Sequence, residues 1–151
     1  MRTLIRRDLN ASVKVDSETT GQIGQGLLVY AGIHLNDLDD DLNWMSKKVL
    51  GLRVFEVDTC NKKYSVLDKQ FDLLLISQFT LFGSLKKGFH PSFSKAAPSV
   101  FAEEKYRQFI RIIRNRFDGH LATGKFGKNM EIISVEDGPL NLWLDSKDRA
   151  Y

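Results

Sequence analysis

Cysteine and histidine are both scarce in this 151-residue chain, and each shortage removes a class of function. The single cysteine, Cys60, has no partner for an internal disulfide and suits a reducing compartment. His34, His90 and His120 lie far apart, with no Cys-x-x-Cys or His-x-x-x-His spacing, so no zinc site is expected. The acidic run at Asp39–Asp41 lacks the spacing and glycine of a calcium loop. No metal is expected. No apolar run approaches the ~18 residues of a membrane span, and the opening Met1 to Arg7 has no apolar stretch behind its charges. A cytoplasmic location without membrane contact is the expectation. There is no Walker-type phosphate loop and no Gly-x-Gly-x-x-Gly, and Gly124 to Gly127 is too short to replace either. No cofactor is expected.

The stretch Phe71 to Gly83 organises what is there. Leu73 to Ile76 form a short apolar run between Asp72 and Gly83, the pattern of a strand buried on both faces. It ends on Ser77, Gln78 and Thr80, interleaved with Phe79 and Leu81. Polar groups at the end of a buried strand need hydrogen-bond partners. Neighbouring backbone can supply them. Alternatively, the strand end is a site where main-chain N–H groups and small polar side chains hold a ligand.

Around that strand the chain reads as one domain, 1–151, closing in a polar tail, 146–151. Leu4 to Val15 alternates with a break near Asn10, as one bent strand or two. A return strand is expected at Gln22–Ile23, and a buried one at Gly26 to Ile33. Asn36 or Asp37 can cap a helix whose apolar face is Leu42, Met45 and Val49, stopped at Gly51. Leu52 to Val57 reads as a strand, 58–63 as a turn, and Tyr64 to Leu67 as a short strand. A second helix is expected over 99–117, with Tyr106, Phe109, Ile110, Ile113 and Phe117 on its apolar face. Strands over 131–135 and 140–144 flank a break at Asp137-Gly138-Pro139. The fold class is α+β: a largely antiparallel, curved or barrel-like sheet with two packed helices.

The net charge is only +3, from 22 basic and 19 acidic residues. Its distribution is more informative. Lys86, Lys87, His90 and Lys95 cluster in a loop that also carries Phe89 and Phe93, and Arg107, Arg111, Arg114 and Arg116 cluster further on. Such groups suit a polyanion or a solvated face equally well. Three functional classes follow. The first is a hydrolase that stabilises an oxyanion with backbone donors at Phe79–Thr80. The second is a non-catalytic nucleic-acid-binding module using the basic loop. The third is a serine-type esterase pairing Ser77 or Thr80 with His90, although no Gly-x-Ser-x-Gly elbow is present.

Several segments together resemble the D-aminoacyl-tRNA deacylases. They are Met1 to Arg7, Leu52 to Glu56, Ser77-Gln-Phe-Thr-Leu81, Lys87-Gly-Phe-His-Pro-Ser-Phe93, Thr123-Gly-Lys-Phe-Gly127 with Met130, and Asp137-Gly-Pro139 followed by Trp143-Leu-Asp145. The resemblance implies a homodimeric hydrolase of the ester joining a D-amino acid, or mischarged glycine, to the terminal adenosine of tRNA. It implies that Ser77, Gln78, Phe79 and Thr80 line the pocket and that the Phe79 and Thr80 N–H groups hold the oxyanion. Water would be the nucleophile, assisted by the substrate's 2′-hydroxyl; a threonine nucleophile at Thr80 ranks second. Phe126 and Met130 would border the adenine, and Lys86, Lys87 and Lys95 would meet the tRNA. A cis Gly138–Pro139 pair, braced by Arg7, would reach into the partner's pocket and exclude L side chains. The family pattern there is Asn-X-Gly-Pro-Val-Thr, whereas this chain has Glu136, Leu140 and Asn141 at the flanks. A related branch with relaxed chirality acts on L-alanyl-tRNA but alters the Ser-Gln-Phe-Thr-Leu segment. That segment is intact here, which favours D-selectivity.

Overall fold

A computed structural model describes residues 1–56 and 62–150. Val57, the 58–61 part of the expected turn, Cys60 and Tyr151 lie outside the described residues. The first three strands are β1 (Arg2–Val15), β2 (Glu18–Ile23) and β3 (Gly26–Gly32). Helix α1 (Asp39–Gly51) follows, then β4 (Phe55–Glu56), β5 (Lys63–Tyr64) and a short α2 (Val66–Lys69). Next come β6 (Asp72–Ser77), a 3-10 turn (Phe79–Phe82), α3 (Ser99–Arg114), β7 (Leu121–Thr123) and β8 (Glu131–Asp145).

The main sheet runs β2-β1-β3-β6-β7, with β8 on the other edge of β1. The pairings of β1 with β2, β3 and β8 are antiparallel, while β6 lies parallel to both neighbours, β3 and β7. The sheet curls until β2 meets β7: a Cβ on Gly21 would stand 2.9 Å from the Thr123 carbonyl. The architecture is the expected α+β one, a nearly closed barrel-like mixed sheet. Its residues sort by alternation into two cores. Leu27, Val29, Ala31, Leu73 and Leu75 face α1 and α3, packing on Leu42, Met45, Val49, Tyr106, Phe109 and Ile113. Leu28, Leu74 and Ile76 point the other way, onto Ala11, Val13, Ile23 and Ala122. Both faces of β6 are therefore covered, and its run from Leu73 to Ile76 is apolar without alternation.

Five local expectations need correction. Three α-helices form among the described residues, not two. The extra one, α2, replaces the strand expected over Tyr64 to Leu67. It is nucleated by a capping box: the Ser65 hydroxyl accepts from the Asp68 N–H at 3.2 Å, and the Asp68 carboxylate accepts from the Ser65 N–H at 2.9 Å. Neither Asn36 nor Asp37 caps α1. Leu38 holds that position, and its N–H donates to Asp41 at 2.8 Å. Asp37 is buried instead, accepting from the Met1 amine and from the His34 N–H at 2.7 Å. Helix α3 ends at Arg114, short of Phe117, and of the described residues 52–56 in the next expected strand only Phe55–Glu56 are extended in a sheet.

The two strands expected either side of Asp137-Gly138-Pro139 are one strand, β8, whose pairing with β1 is interrupted over residues 137–140. The polar tail is tied down. Lys147 Nζ donates to the Asn36 carbonyl at 3.0 Å and pairs with Asp41 at 2.5 Å, and Arg149 pairs with Asp40 at 2.8 Å. No helix among the described residues is long and apolar enough to cross a membrane.

Candidate active site

Where β6 runs out, the structure opens a cleft of about 730 Å³. Its walls are Tyr30, Ala31 and Ile33 from β3 and its exit, Ile76, Ser77 and Gln78 from the end of β6, and Phe79 from the turn. Ser99 and Ala102 at the start of α3, with Phe93, Phe126, Lys128, Met130 and Ile132, also line it. The parallel register of Tyr30 with Ile76 and Ala31 with Ser77 brings the two strand ends out together. The Gln78 N–H still finds a sheet partner, the Ala31 carbonyl at 2.8 Å. Beyond it the chain turns into 3-10 geometry, closed by the Gly83 N–H on the Thr80 carbonyl at 2.9 Å. The first N–H groups of such a turn, here those of Phe79 and Thr80, have no acceptor within it.

That turn is held from behind. Arg2 Nη1 donates to the Leu81 carbonyl at 3.0 Å while its Nε bonds Asp145 at 2.7 Å. The Arg2 guanidinium also stacks between Phe82 and Trp143, 4.7 and 5.4 Å from the ring centres. In front, Phe79 is 58% exposed and meets Phe93 edge-on at 5.1 Å. Behind the lining residue Phe126, Tyr106 packs on its ring and donates to the Leu75 carbonyl at 2.9 Å. Burial pushes the Tyr106 hydroxyl well above its ordinary value, so it stays neutral.

No Asp, Glu, His or Cys lines the cleft among the described residues. Nor do three such side chains converge anywhere among them to hold a metal. His90 is exposed on its loop and is not part of the cleft wall. Thr80 sits just outside, its hydroxyl donating to the Gln78 amide oxygen at 2.7 Å. That hydrogen bond supplies no base to a threonine nucleophile.

Ser77, Gln78, Phe79, Phe126 and Met130 are thus gathered around one cleft, while Gly138 and Pro139 stay away from it. The latter two form an exposed tip on β8. Opposite it, Asp8 pairs with Glu136 and Arg6 with Asn141, so the four residues 137–140 face Arg7 alone. The Gly138–Pro139 peptide is cis. Arg7 Nε donates to the Asp137 carbonyl at 3.2 Å and pairs with the Asp137 carboxylate at 3.0 Å, and its Nη1 donates to the Val54 carbonyl. Arg7 thus ties the tip to β1 and to the segment before β4. Gly138 has φ +129°, and a Cβ there would stand 3.1 Å from Arg7 Nη2.

The basic groups separate. Lys86, Lys87 and Lys95 are exposed on the loop whose Phe93 reaches the cleft and whose Phe89 is 99% exposed. In the other group, Arg107 is paired with Glu103 at 2.6 Å and Arg116 with the Asn43 side chain at 2.8 Å. Sequence reasoning missed Tyr30, Lys128 and Ile132 as cleft residues and Arg2 as the support of the turn. Only the parallel pairing of β3 with β6 and the path of β8 place them there.

The fold and this cleft define the class first. A solved structure described as the c-Myc DNA unwinding element binding protein superposes with TM-score 0.90 at 38% identity, covering 96% of this chain and 98% of its own. One described as a probable eukaryotic D-amino acid tRNA deacylase shares the fold, with TM-score 0.83 at 16% identity over 95% of this chain and 97% of its own. D-aminoacyl-tRNA deacylases of Thermosipho africanus and Desulfitobacterium hafniense are 40% and 42% identical over 147 residues, which is 97% of this chain and 98% of each of theirs. A family model described as D-Tyr-tRNA(Tyr) deacylase matches residues 4–145. The chain belongs to the D-Tyr-tRNA(Tyr) deacylase family and is a hydrolase.

Proposed function

We propose that this chain hydrolyses the ester joining a D-amino acid, or misplaced glycine, to the 3′-terminal adenosine of tRNA. One observation carries the mechanism: a cleft at a polar strand end, walled without any carboxylate, imidazole or thiol among the described residues. Such a site offers no carboxylate, imidazole or thiolate among the described residues to take a proton from water. It can hold the ester carbonyl against the Phe79 and Thr80 N–H groups, where preorganised donors stabilise the oxyanion that forms as water adds. The substrate's 2′-hydroxyl orients that water. Collapse of the tetrahedral intermediate then expels the ribose 3′-oxygen, which leaves with the proton. Phe126 and Met130 border the adenine, Ser77 and Gln78 face the amino acid, and Lys86, Lys87 and Lys95 offer charge to the tRNA backbone.

Chirality is read by a second copy of the chain. The Gly138–Pro139 tip is exposed and does not line its own cleft. It rides on β8, which pairs only with β1 among the described residues and exposes Ile133, Val135, Leu142 and Trp143. A long edge strand with such side chains calls for a cover. In a homodimer the tip of one protomer enters the partner's cleft, and main-chain oxygens occupy the space an L side chain would need. Backbone discrimination leaves the D side chain unread, as a proofreader of many amino acids requires. Deacylation of matched D-tyrosyl-tRNA and L-tyrosyl-tRNA tests the reading. Rapid loss of the D-ester alone is expected, and loss of neither ester contradicts it.

A second reading rests on the fully exposed Phe89 among Lys86, Lys87 and His90, which suits stacking and backbone contact with single-stranded nucleic acid. Salt-dependent binding of uncharged RNA or DNA without ester turnover would favour it.

A further inference from the structure

We infer that Glu136 and Asn141 are positioning residues that clamp the base of the Gly138–Pro139 tip and so set how strictly L-esters are refused; the consequence for selectivity rests on the deacylase reading above. The tip is an excursion in an edge strand. Four residues stand where the partner strand offers one, so the ladder cannot hold them. Glu136 and Asn141 are the last paired residues on either side, and they join directly: Asn141 Nδ2 donates to Glu136 Oε1 across the base.

The second Glu136 oxygen lies 3.4 Å from Arg6 Nη2, tying the clamp into β1. Arg6 has only one other carboxylate nearby, Asp8 at 3.8 Å, among the described residues. Asp8 is fully buried beside that guanidinium. On the far side Arg6 approaches the hydroxyl of Tyr30, a wall residue of the cleft. One arginine thereby links the cleft wall to the foot of the tip. Arg7 grips the excursion through Asp137, and Glu136–Asn141 closes it from outside. These are also the flanks at which this chain departs from the Asn-X-Gly-Pro-Val-Thr pattern, with the carboxylate and amide forming their own bond.

The variants Asn141→Ala and Glu136→Ala break the clamp, whereas Glu136→Gln keeps an acceptor for Asn141 and removes the charge. Amide hydrogen exchange at the base residues Glu136 and Asn141, together with Asp137, Gly138 and Leu140 of the tip, measures the clamp in the intact protein without reference to activity; Pro139 has no N–H. Exchange there is expected to rise about tenfold in both alanine variants and to stay within about threefold in Glu136→Gln. The ratio of kcat/KM for D-tyrosyl-tRNA over L-tyrosyl-tRNA should fall about tenfold in the alanine variants. That fall should come from faster L-ester cleavage, with KM for the D-ester nearly unmoved, which general destabilisation would not produce. Unchanged exchange in both alanine variants, or equal loosening in Glu136→Gln, overturns the assignment. A parent protein that cleaves neither ester overturns the deacylase reading instead, and exchange still decides the clamp.

Discussion

The end of β6 and the tip of β8 are built on opposite principles. The cleft at the end of β6 is walled by apolar side chains, small polar groups and main-chain donors, and Tyr30 and Lys128 are its only titratable members among the described residues. The tip is gripped by charge, with Arg7 on Asp137 and Arg6 on Glu136. The contrast separates two tasks. Ester hydrolysis in the proposed scheme draws its proton chemistry from the substrate and needs only fixed donors. Chiral exclusion in the same scheme needs backbone held in one place, and ion pairs with buried or half-buried partners hold the tip.

If the tasks are separate, damage to the tip should change selectivity before it changes chemistry. Gly138→Ala is the severest test, because it places a side chain at φ +129° and against Arg7. The D-to-L ratio of kcat/KM is expected to fall about 50-fold, reflecting a few kcal/mol of displaced backbone. Arg7→Ala removes the brace and leaves Asp137 and the Val54 carbonyl without it. A fall of about 20-fold in the same ratio is expected, with a loss of about 2 kcal/mol in stability measured by urea unfolding. Loss of D-ester turnover with the ratio preserved, in either variant, would break the comparison.

Acid should act on the fold and leave the chemistry alone. Burial opposes ionisation of Asp41, but Lys147, the Leu38 N–H and Ser146 outweigh it and hold the carboxyl down at about 2. A folded value below the unfolded one stabilises the protein above pH ~4, and the benefit fades as pH falls towards 2. The contribution is roughly 2 kcal/mol, and Asp41→Asn should remove it. Activity lost below pH ~4 should therefore track unfolding followed by circular dichroism, with no separate titration of a catalytic acid. The smallest effect is expected at the cleft mouth. Thr80→Ala removes a hydroxyl that bonds only Gln78 among the described residues, and kcat should fall by no more than about threefold. Complete loss would restore the threonine nucleophile.

The same contrast explains what was legible beforehand. The polar ending Ser77-Gln78-Phe79-Thr80 stood out because an apolar strand had no packing reason to finish that way. Helix α3 was visible because Tyr106, Phe109 and Ile113 repeat at helical spacing over one buried face. Gly-Pro is turn chemistry locally, so the tip reads as a break between separate strands; the ladder does stop at residues 137–140, yet both halves belong to one strand. Pairing of β1 with both halves of β8, and Arg7 filling the gap between them, are long-range facts that override the local reading. The short α2 was missed although Ser65-x-x-Asp68 is a capping signal, because Tyr64 to Leu67 also suits a strand. Asp37 looked like a cap and is instead a buried acceptor for the Met1 amine, a contact between residues 36 positions apart.

Substrate assistance is the central claim, and removing the assisting group tests it most directly. D-tyrosyl-tRNA ending in 2′-deoxyadenosine, esterified at its 3′-oxygen, should bind within about threefold of the ribose form. Its single-turnover cleavage should be at least about 100-fold slower, the scale of one lost water-orienting group. Cleavage of the deoxy ester at the rate of the ribose ester would contradict the mechanism and direct attention to a base supplied by the protein.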